Sequence, residues 1–597
     1  MSTLLDLDAE LAKGVEEAIA RDDDAPAAIP GLDLTSLSGR QRADAKTGAR
    51  LRRAMALVDA GKPAEGARLV LKVLDENPEL AVANQAMGMA LEHLGRLSRA
   101  LEFYERALQR DPKNPEIYQS LGLLASKLGL LPTAEKFLRI YLTMSPKAKG
   151  GAVQLASILR DQSKFEDAIE LLRQAIYGDP ENADLWNAMG TTVMESGEAP
   201  EAITFHAEAL RLRPGYARAH HNLAHALELT GDMEGGLTHF KAAIENAENE
   251  ADRVVSSHGY SHALLAAGHL KEGWDLYRMR LNMHYRFATN FLIPAPPWDG
   301  ADPAELKGKT LVVMGEQGIG DEVLFASTFH DAQKAVGPHG ALRIACEKRL
   351  IPLFQRSFPK AQVERHYTVA REGRQHRHAP DLFKDGKANL WTPAGNLCRA
   401  FRQSPDDFPA EAGFLTADPA RVEAFRKQLA ALGPGPKVGV LWKSLKMDAV
   451  RTKHFAPFEM WKPILKTPGA TFINLQYGDV EEELAEAEAR FGVKIHQPQD
   501  IDLKDDLDGV AALGKACDLV MGPMNATTNL TASVGGQVWF IRAIAVSWTL
   551  LGRDQMLWYP QTRTFTGNRY RDWAGGMRIM ADAFEGFVKA HKASAAA

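Results

Sequence analysis

Residues Ala100 to Ala134 read "ALEFYERALQRDPKNPEIYQSLGLLASKLGLLPTA", and this run contains one full period of an internal repeat. Pro78, Pro112, Pro146, Pro180 and Pro214 follow one another at intervals of 34 residues. Gly61, Gly95, Gly129, Ser163, Gly197 and Gly231 keep the same interval, as do Gly66, Ala100, Ala134, Ala168, Ala202 and Gly236. One register fits all three series. The glycine allows a turn between two antiparallel helices, the alanine lets them approach closely, and the proline ends the second helix. Helix pairs are therefore expected over about residues 47–248. A looser unit, "GYSHALLAAGHLKEGWDLYRMRL", slips by three residues and is read as the cap of the stack.

A unit of this length and pattern resembles the tetratricopeptide repeat, and the resemblance implies a concave superhelix that binds a segment of another protein. The first helix of each repeat is expected to line that groove with Asn84, Tyr118, Gln119, Asn187, His221 and Asn222. The run His220 to Asn222 has no third ligand at a convincing spacing, so it reads as groove polarity and not as a metal site.

Composition narrows the remaining choices. A chain of 597 residues exceeds what one hydrophobic core supports, so two to four domains are expected. With 45% hydrophobic and 25% charged residues it has an ordinary globular composition, and a net charge of -5 makes no electrostatic case for nucleic acid or a membrane surface. Cys346, Cys398 and Cys517 lie far apart and form no disulfide or zinc pattern, which points to small buried residues in a reducing compartment. The N-terminus lacks a basic start followed by an apolar block, and no run of about 20 apolar residues occurs, so a cytoplasmic location is expected. Residues 1–46 read as an acidic leader that turns Pro, Gly and Ser rich.

After "FLIPAPPWDGADPAELKGK" the pattern changes to strands alternating with helices: "TLVVM", "ALRIAC", "KVGVLW", "ATFINLQ", "VKIHQ", "DLVMGP" and "QVWFIR". That alternation predicts doubly wound α/β structure, with two Rossmann-like lobes facing a cleft. The expected domains are a repeat solenoid with capping helices over 47–283, a linker and first lobe over 284–436, and a second lobe with a C-terminal helix over 437–597. Gly315 to Glu322, "GEQGIGDE", follows the first strand, where ligand loops sit in such sheets. It is not a P-loop, because no Gly-Lys-Ser or Gly-Lys-Thr follows. Gly315, Gly318 and Gly320 spell G-x-x-G-x-G and not the dinucleotide fingerprint. What remains is a flexible loop carrying Glu316 and Asp321 into a helix, and capping of that helix by Asp321 stands beside catalysis as a reading.

The repeats, the "PPWDG" segment, the "GEQGIGD" loop and a late "WYP" at Trp558 to Pro560 together resemble the tetratricopeptide-containing glycosyltransferases of bacteria. The plan is similar to that of the protein O-GlcNAc transferases and, in the lobes, to the heptosyltransferase-like enzymes. It is most like the flagellin glycosyltransferases of the FlmG type. The resemblance implies an α-helical tetratricopeptide solenoid followed by an α/β GT-B module. It implies transfer of a sugar, pseudaminic acid or a related nonulosonic acid, from a nucleotide sugar to serine or threonine of flagellin. Asp321, after Gly320, takes the place of the family's general base, and Glu316 is the second candidate. Lys443, Arg451 and Lys453 would neutralise the leaving phosphate without a metal. The helix N-terminus with Asn525, Thr527, Thr528 and Asn529 would bind the donor. Met524 and Asn525 stand where the relatives carry an Asp-Thr pair, and Asn529 where they carry His, a departure that disfavours UDP or ADP and is compatible with a CMP-linked acidic sugar. No cofactor beyond the nucleotide-sugar co-substrate is expected. Two alternatives remain: a flagellin adaptor or chaperone with a degenerate transferase module, and an O-GlcNAc-type transferase using a UDP-sugar.

Overall fold

A computed structural model describes residues 45–148, 150–371, 374–444, 454–544 and 546–596. The chain divides into two compact units, residues 1–196 with 369–376, and residues 197–368 with 377–597. The division falls inside the repeats, at Ser196. Most of the acidic leader, together with Arg451 and Lys453, lies outside the described residues.

In the first unit, paired helices run from Ala45–Asp59 and Pro63–Glu76 through Ala81–His93 and Leu97–Arg110 to Ala183–Ser196. Each second helix stops just before its repeat proline, as at Glu76, Arg110, Met144 and Gly178. Between the paired helices, Gly61, Gly95 and Gly129 take φ of +74, +71 and +77°, and Ser163 adopts the same left-handed turn at +61°. Ala100, Ala134 and Ala168 are wholly buried where the helices touch. The Gly66 position is tighter still, since a methyl group there would stand 2.7 Å from the Ala54 carbonyl oxygen.

The second unit opens with the helices Ala199–Leu212, Ala217–Thr230 and Met233–Glu245, which keep the same register. The next helix, Glu250–Ala266, is 17 residues long, and its turn glycine Gly268 (φ +86°) arrives three residues late. The short helix Leu270–Tyr277 and the 3-10 turn Arg278–Leu281 close the helical part.

Two parallel sheets follow. The first contains β1 (Thr310–Met314), β2 (Ala341–Cys346), β3 (Gln362–Arg365) and β4 (Leu390–Pro393) in the order β3-β2-β1-β4. The second contains β5 (Lys437–Val440), β6 (Thr471–Asn474), β7 (Ile495–His496), β8 (Leu519–Gly522), β9 (Val538–Ile541) and β10 (Arg563–Phe565) in the order β7-β6-β5-β8-β9-β10. That is the doubly wound order, in which the strand sequence reverses between β5 and β8 and opens a crevice at the carboxyl ends of the strands. The seven apolar runs of the sequence all become strands or contain one. Within these two sheets the strands without a matching run in the sequence, β3, β4 and β10, are all at edges. An edge strand has one hydrogen-bonded neighbour and keeps a partly wet face, so "QVER", "LWTP" and "RTF" carry no continuous apolar signal. The "PPWDG" segment is ordered on the β4 edge: Trp298 is buried and its backbone N–H donates to the Trp391 carbonyl at 2.7 Å.

Candidate functional site

The "GEQGIGDE" turn leaves β1 at the carboxyl edge of the first sheet and runs into the helix Ile319–Phe325. It carries three acids, and their surroundings separate them. Glu316 is buried in a bidentate pair with Arg280, whose Nη2 and Nε donate at 2.6 and 2.8 Å, and it also accepts the Gly395 backbone N–H at 2.6 Å. Glu322 is buried as well, taking the Glu347 backbone N–H at 2.8 Å and lying 2.9 Å from His366 Nε2. Arg377 stands 3.8 Å from Glu322 and donates to the Gly315 carbonyl at 2.6 Å. Gly315 has to be glycine here, because a methyl group would come within 2.6 Å of the Glu322 carboxylate carbon.

Asp321 alone of the three has no cationic partner among the described residues. One of its oxygens accepts the Gly318 backbone N–H at 3.0 Å, so the capping contact is real. The carboxyl group also lines a cavity of about 330 Å³. Burial pushes its pKa up to about 6; the Gly318 bond pulls the other way, and the charges of Glu316 and Glu322 add to the rise. Gln317 beside it is held at φ +58°, a left-handed conformation costly for a side chain with a Cβ, and donates to the Tyr277 hydroxyl at 2.7 Å.

The cavity gathers residues from separate parts of the second unit. His258 and His262, four apart on Glu250–Ala266, share one helical face. His262 stacks on Trp548 with ring centres 5.6 Å apart and 13° between planes, and His258 meets Tyr285 edge-on at 4.8 Å. Burial pushes His258 down to about 4, helped by Arg280 and His225, and it pushes His262 well below the ordinary histidine value, helped by His258, His225 and Arg280, so both rings are neutral at pH 7. The His258 Nδ1 is buried without a hydrogen-bond partner among the described residues.

The carboxyl edge of the second sheet meets the same turn. The helix Ala526–Ser533 follows β8, and Asn529 Nδ2 donates to the Gly320 carbonyl at 3.3 Å. The predicted donor residues Asn525, Thr527, Thr528 and Asn529 therefore stand next to the predicted base. Thr528, however, is consumed by the helix cap: its N–H donates to Asn525 Oδ1 at 3.2 Å, and its hydroxyl accepts the Asn525 N–H at 2.9 Å while donating to the Pro523 carbonyl. Lys443 is also occupied, in an ion pair with Glu483.

Residues 51–115, 153–217 and 188–251 match one tetratricopeptide-repeat family model, and residues 103–136 match another. Over 448 residues the chain is 43% identical to Protein FlbA of Caulobacter vibrioides, covering 75% of this chain and 74% of that protein. The chain belongs to the FlbA family. A shorter similarity, 28% identity over 94 residues, links 16% of the chain to the peroxisomal targeting signal receptor of Candida glabrata. Among solved structures, YrrB, described as a TPR protein with an unusual peptide-binding site, aligns over 32% of this chain and 98% of its own at 20% identity and a TM-score of 0.25.

In this FlbA-family chain the predicted groove residues have unequal roles. Asn84 Nδ2 donates to the Pro78 carbonyl at 2.9 Å and Tyr118 to the Pro112 carbonyl at 3.1 Å. Trp186 does the same to Pro180 and His220 to Pro214, each at the sixth position after a repeat proline. Four different side chains thus make the same latch, tying the carbonyl of four of the five repeat prolines to the next helix. Asn84 and Tyr118 are buried where they make these bonds. Gln119 bridges to Gln154 of the following repeat at 2.9 Å, and Asn187 is buried. His221 lies edge-on to Phe240 and is pushed down to about 3 by burial and by neighbouring histidines, which makes it a neutral packing group. Asn222, on the same helix, is half-buried. The residues sequence reading missed are Arg280, His258, His262 and Trp548. Arg280 carried one available signal, the basic run "YRMRL" just before the lobes.

Proposed function

We propose that this chain is a protein O-glycosyltransferase of GT-B type that moves a nonulosonic acid from a CMP-sugar to serine or threonine of flagellin, with the repeats holding the acceptor. The observation that carries the reading is Asp321: a cavity-lining carboxylate with no ion-pair partner among the described residues and a pKa raised to about 6, at the carboxyl edge of one parallel sheet and next to the helix N-terminus of the other. In the transfer, the acceptor hydroxyl oxygen attacks the anomeric carbon and Asp321 takes its proton. The bond from that carbon to the phosphate oxygen breaks, and the electron pair leaves with the nucleotide. A base with a pKa just below cytoplasmic pH is ionised yet still holds a proton well, which suits this step. Glu316, with both oxygens committed to Arg280 and Gly395, does not suit it.

The decisive experiment is intact-mass measurement of flagellin co-expressed with the donor pathway and either the wild-type chain or Asp321→Ala. Loss of the added mass supports the role, and undiminished modification removes Asp321 from it. A second reading, a flagellin adaptor with a silent transferase module, is favoured by the ion-paired Lys443 and by Thr528 being spent on its own cap. Calorimetry with CMP-, UDP- and ADP-sugars separates the two, since binding of none of them, alongside tight capture of flagellin, supports the adaptor. Preference for a UDP-sugar would indicate the O-GlcNAc-type chemistry.

A further inference from the structure

Arg542 follows β9 directly, at the carboxyl edge of the second sheet, and its backbone N–H still donates to the Phe565 carbonyl at 2.9 Å. Its side chain is half-buried, and no carboxylate meets it among the described residues. Its Nη1 reaches only neutral acceptors, Thr549 Oγ1 at 3.2 Å and Met524 Sδ at 3.8 Å. Burial alone pulls its pKa down, to about 10, with no anion to offset the desolvation. The arginines buried in this unit each stand by a carboxylate: Arg280 pairs with Glu316, Arg343 with Asp385 and Arg402 with Asp331, and Arg377 lies 3.8 Å from Glu322.

A second donor close by is also unmet. Met524, against the guanidinium, is followed by Asn525, whose Oδ1 and backbone N–H are used by Thr528. The Asn525 Nδ2 is buried and has no acceptor among the described residues. A cation without an anion and an amide N–H without an acceptor, linked through Met524, which touches the guanidinium and precedes Asn525 in the chain, lie at the switch-point edge of a doubly wound sheet as an incomplete half of a charge-assisted hydrogen-bond set.

We propose that Arg542 and Asn525 bind an oxyanion, with Thr549 positioning the guanidinium. Phosphate and carboxylate share the required chemistry, and a CMP-linked acidic sugar carries both. Assigning the anion to a sugar donor rests on the transferase reading; the site itself does not.

The test is thermal unfolding of the full chain with inorganic phosphate, CMP or N-acetylneuraminate, for the wild type, Arg542→Met and Arg542→Lys. The wild-type midpoint rises with at least one of these probes. Arg542→Met unfolds at a higher temperature than wild type without ligand, because an unpaired, desolvated charge is gone, and its apparent affinity for the responding probe falls about tenfold or more. Arg542→Lys keeps the charge without the planar fork and gives an intermediate response. Response to phosphate and CMP alone assigns the phosphate, and response to N-acetylneuraminate alone assigns the carboxylate. The proposal is overturned if no probe shifts the wild type, or if Arg542→Met keeps the full response. It is equally overturned if Arg542→Met is destabilised and Arg542→Lys responds as wild type does. An Arg542-dependent shift without flagellin modification sinks the transferase reading and leaves this site standing.

Discussion

Replacing Asp321 with Asn isolates the charge while keeping the shape and the bond to the Gly318 N–H. The ordinary aspartate value of 3.8 rises here to about 6, so the unfolded chain gives up this proton before the folded chain does. Below about pH 4 both states hold the proton and the carboxylate costs nothing. As pH rises from 3.8 towards 6 the unfolded state is favoured progressively, and above 6 the full penalty is in place. At about 1.4 kcal/mol per pH unit that gap amounts to about 3 kcal/mol, and partial exposure of the group lowers the expectation to about 1–2 kcal/mol. Asp321→Asn should therefore match the wild type in stability near pH 4 and exceed it by about 1–2 kcal/mol at pH 7.5, while flagellin modification is lost. Urea unfolding of both proteins across this pH range gives the difference curve. A flat curve, or an Asn variant less stable at pH 7.5, would refute the idea that Asp321 is held as an unpaired, desolvated base and would leave it as a helix cap.

Glu316→Ala strands the buried Arg280 charge and should cost about 3–5 kcal/mol in urea unfolding, far more than any surface pair in the chain. Tyr118→Phe removes one latch to Pro112 and should cost about 1 kcal/mol without changing affinity for a bound protein; reduced affinity at unchanged stability would return Tyr118 to the groove. Ser163→Gly relieves a left-handed turn and should stabilise the first unit by about 0.5–1 kcal/mol, measured by its melting midpoint. His258 is held near pH 4 against an ordinary 6.5, so the unfolded state takes up its proton first and stability is lost as pH falls from 6.5 towards 4. His258→Gln should flatten that limb, the opposite sign to Asp321 over nearly the same range, and an unchanged acid limb would place the titration elsewhere.

Much of the architecture was legible because its causes are local. A turn that needs a left-handed residue, a contact that needs a small one and a stop that needs proline recur every 34 residues, and each acts within a few positions of itself. Even the three-residue slip before Gly268 is visible in the spacing. Central strands showed themselves through unbroken apolar runs, whereas of the four edge strands of these two sheets only β7, within "VKIHQ", did. The latch at the sixth position was hidden, since Asn84, Tyr118, Trp186 and His220 share a hydrogen-bonding role and no chemical type.

For this protein, sequence alone determined the repeat period, the change to alternating strands and helices, and the placing of three acids in one turn after β1. Only the tertiary structure decided what those acids are. Arg280 reaches Glu316 from the helical cap, and His366 and Arg377 reach Glu322 from beyond β3, while among the described residues no cation pairs with Asp321. The protonation and availability of a carboxylate depend on the charge and water around it, and distant segments of the chain supply both.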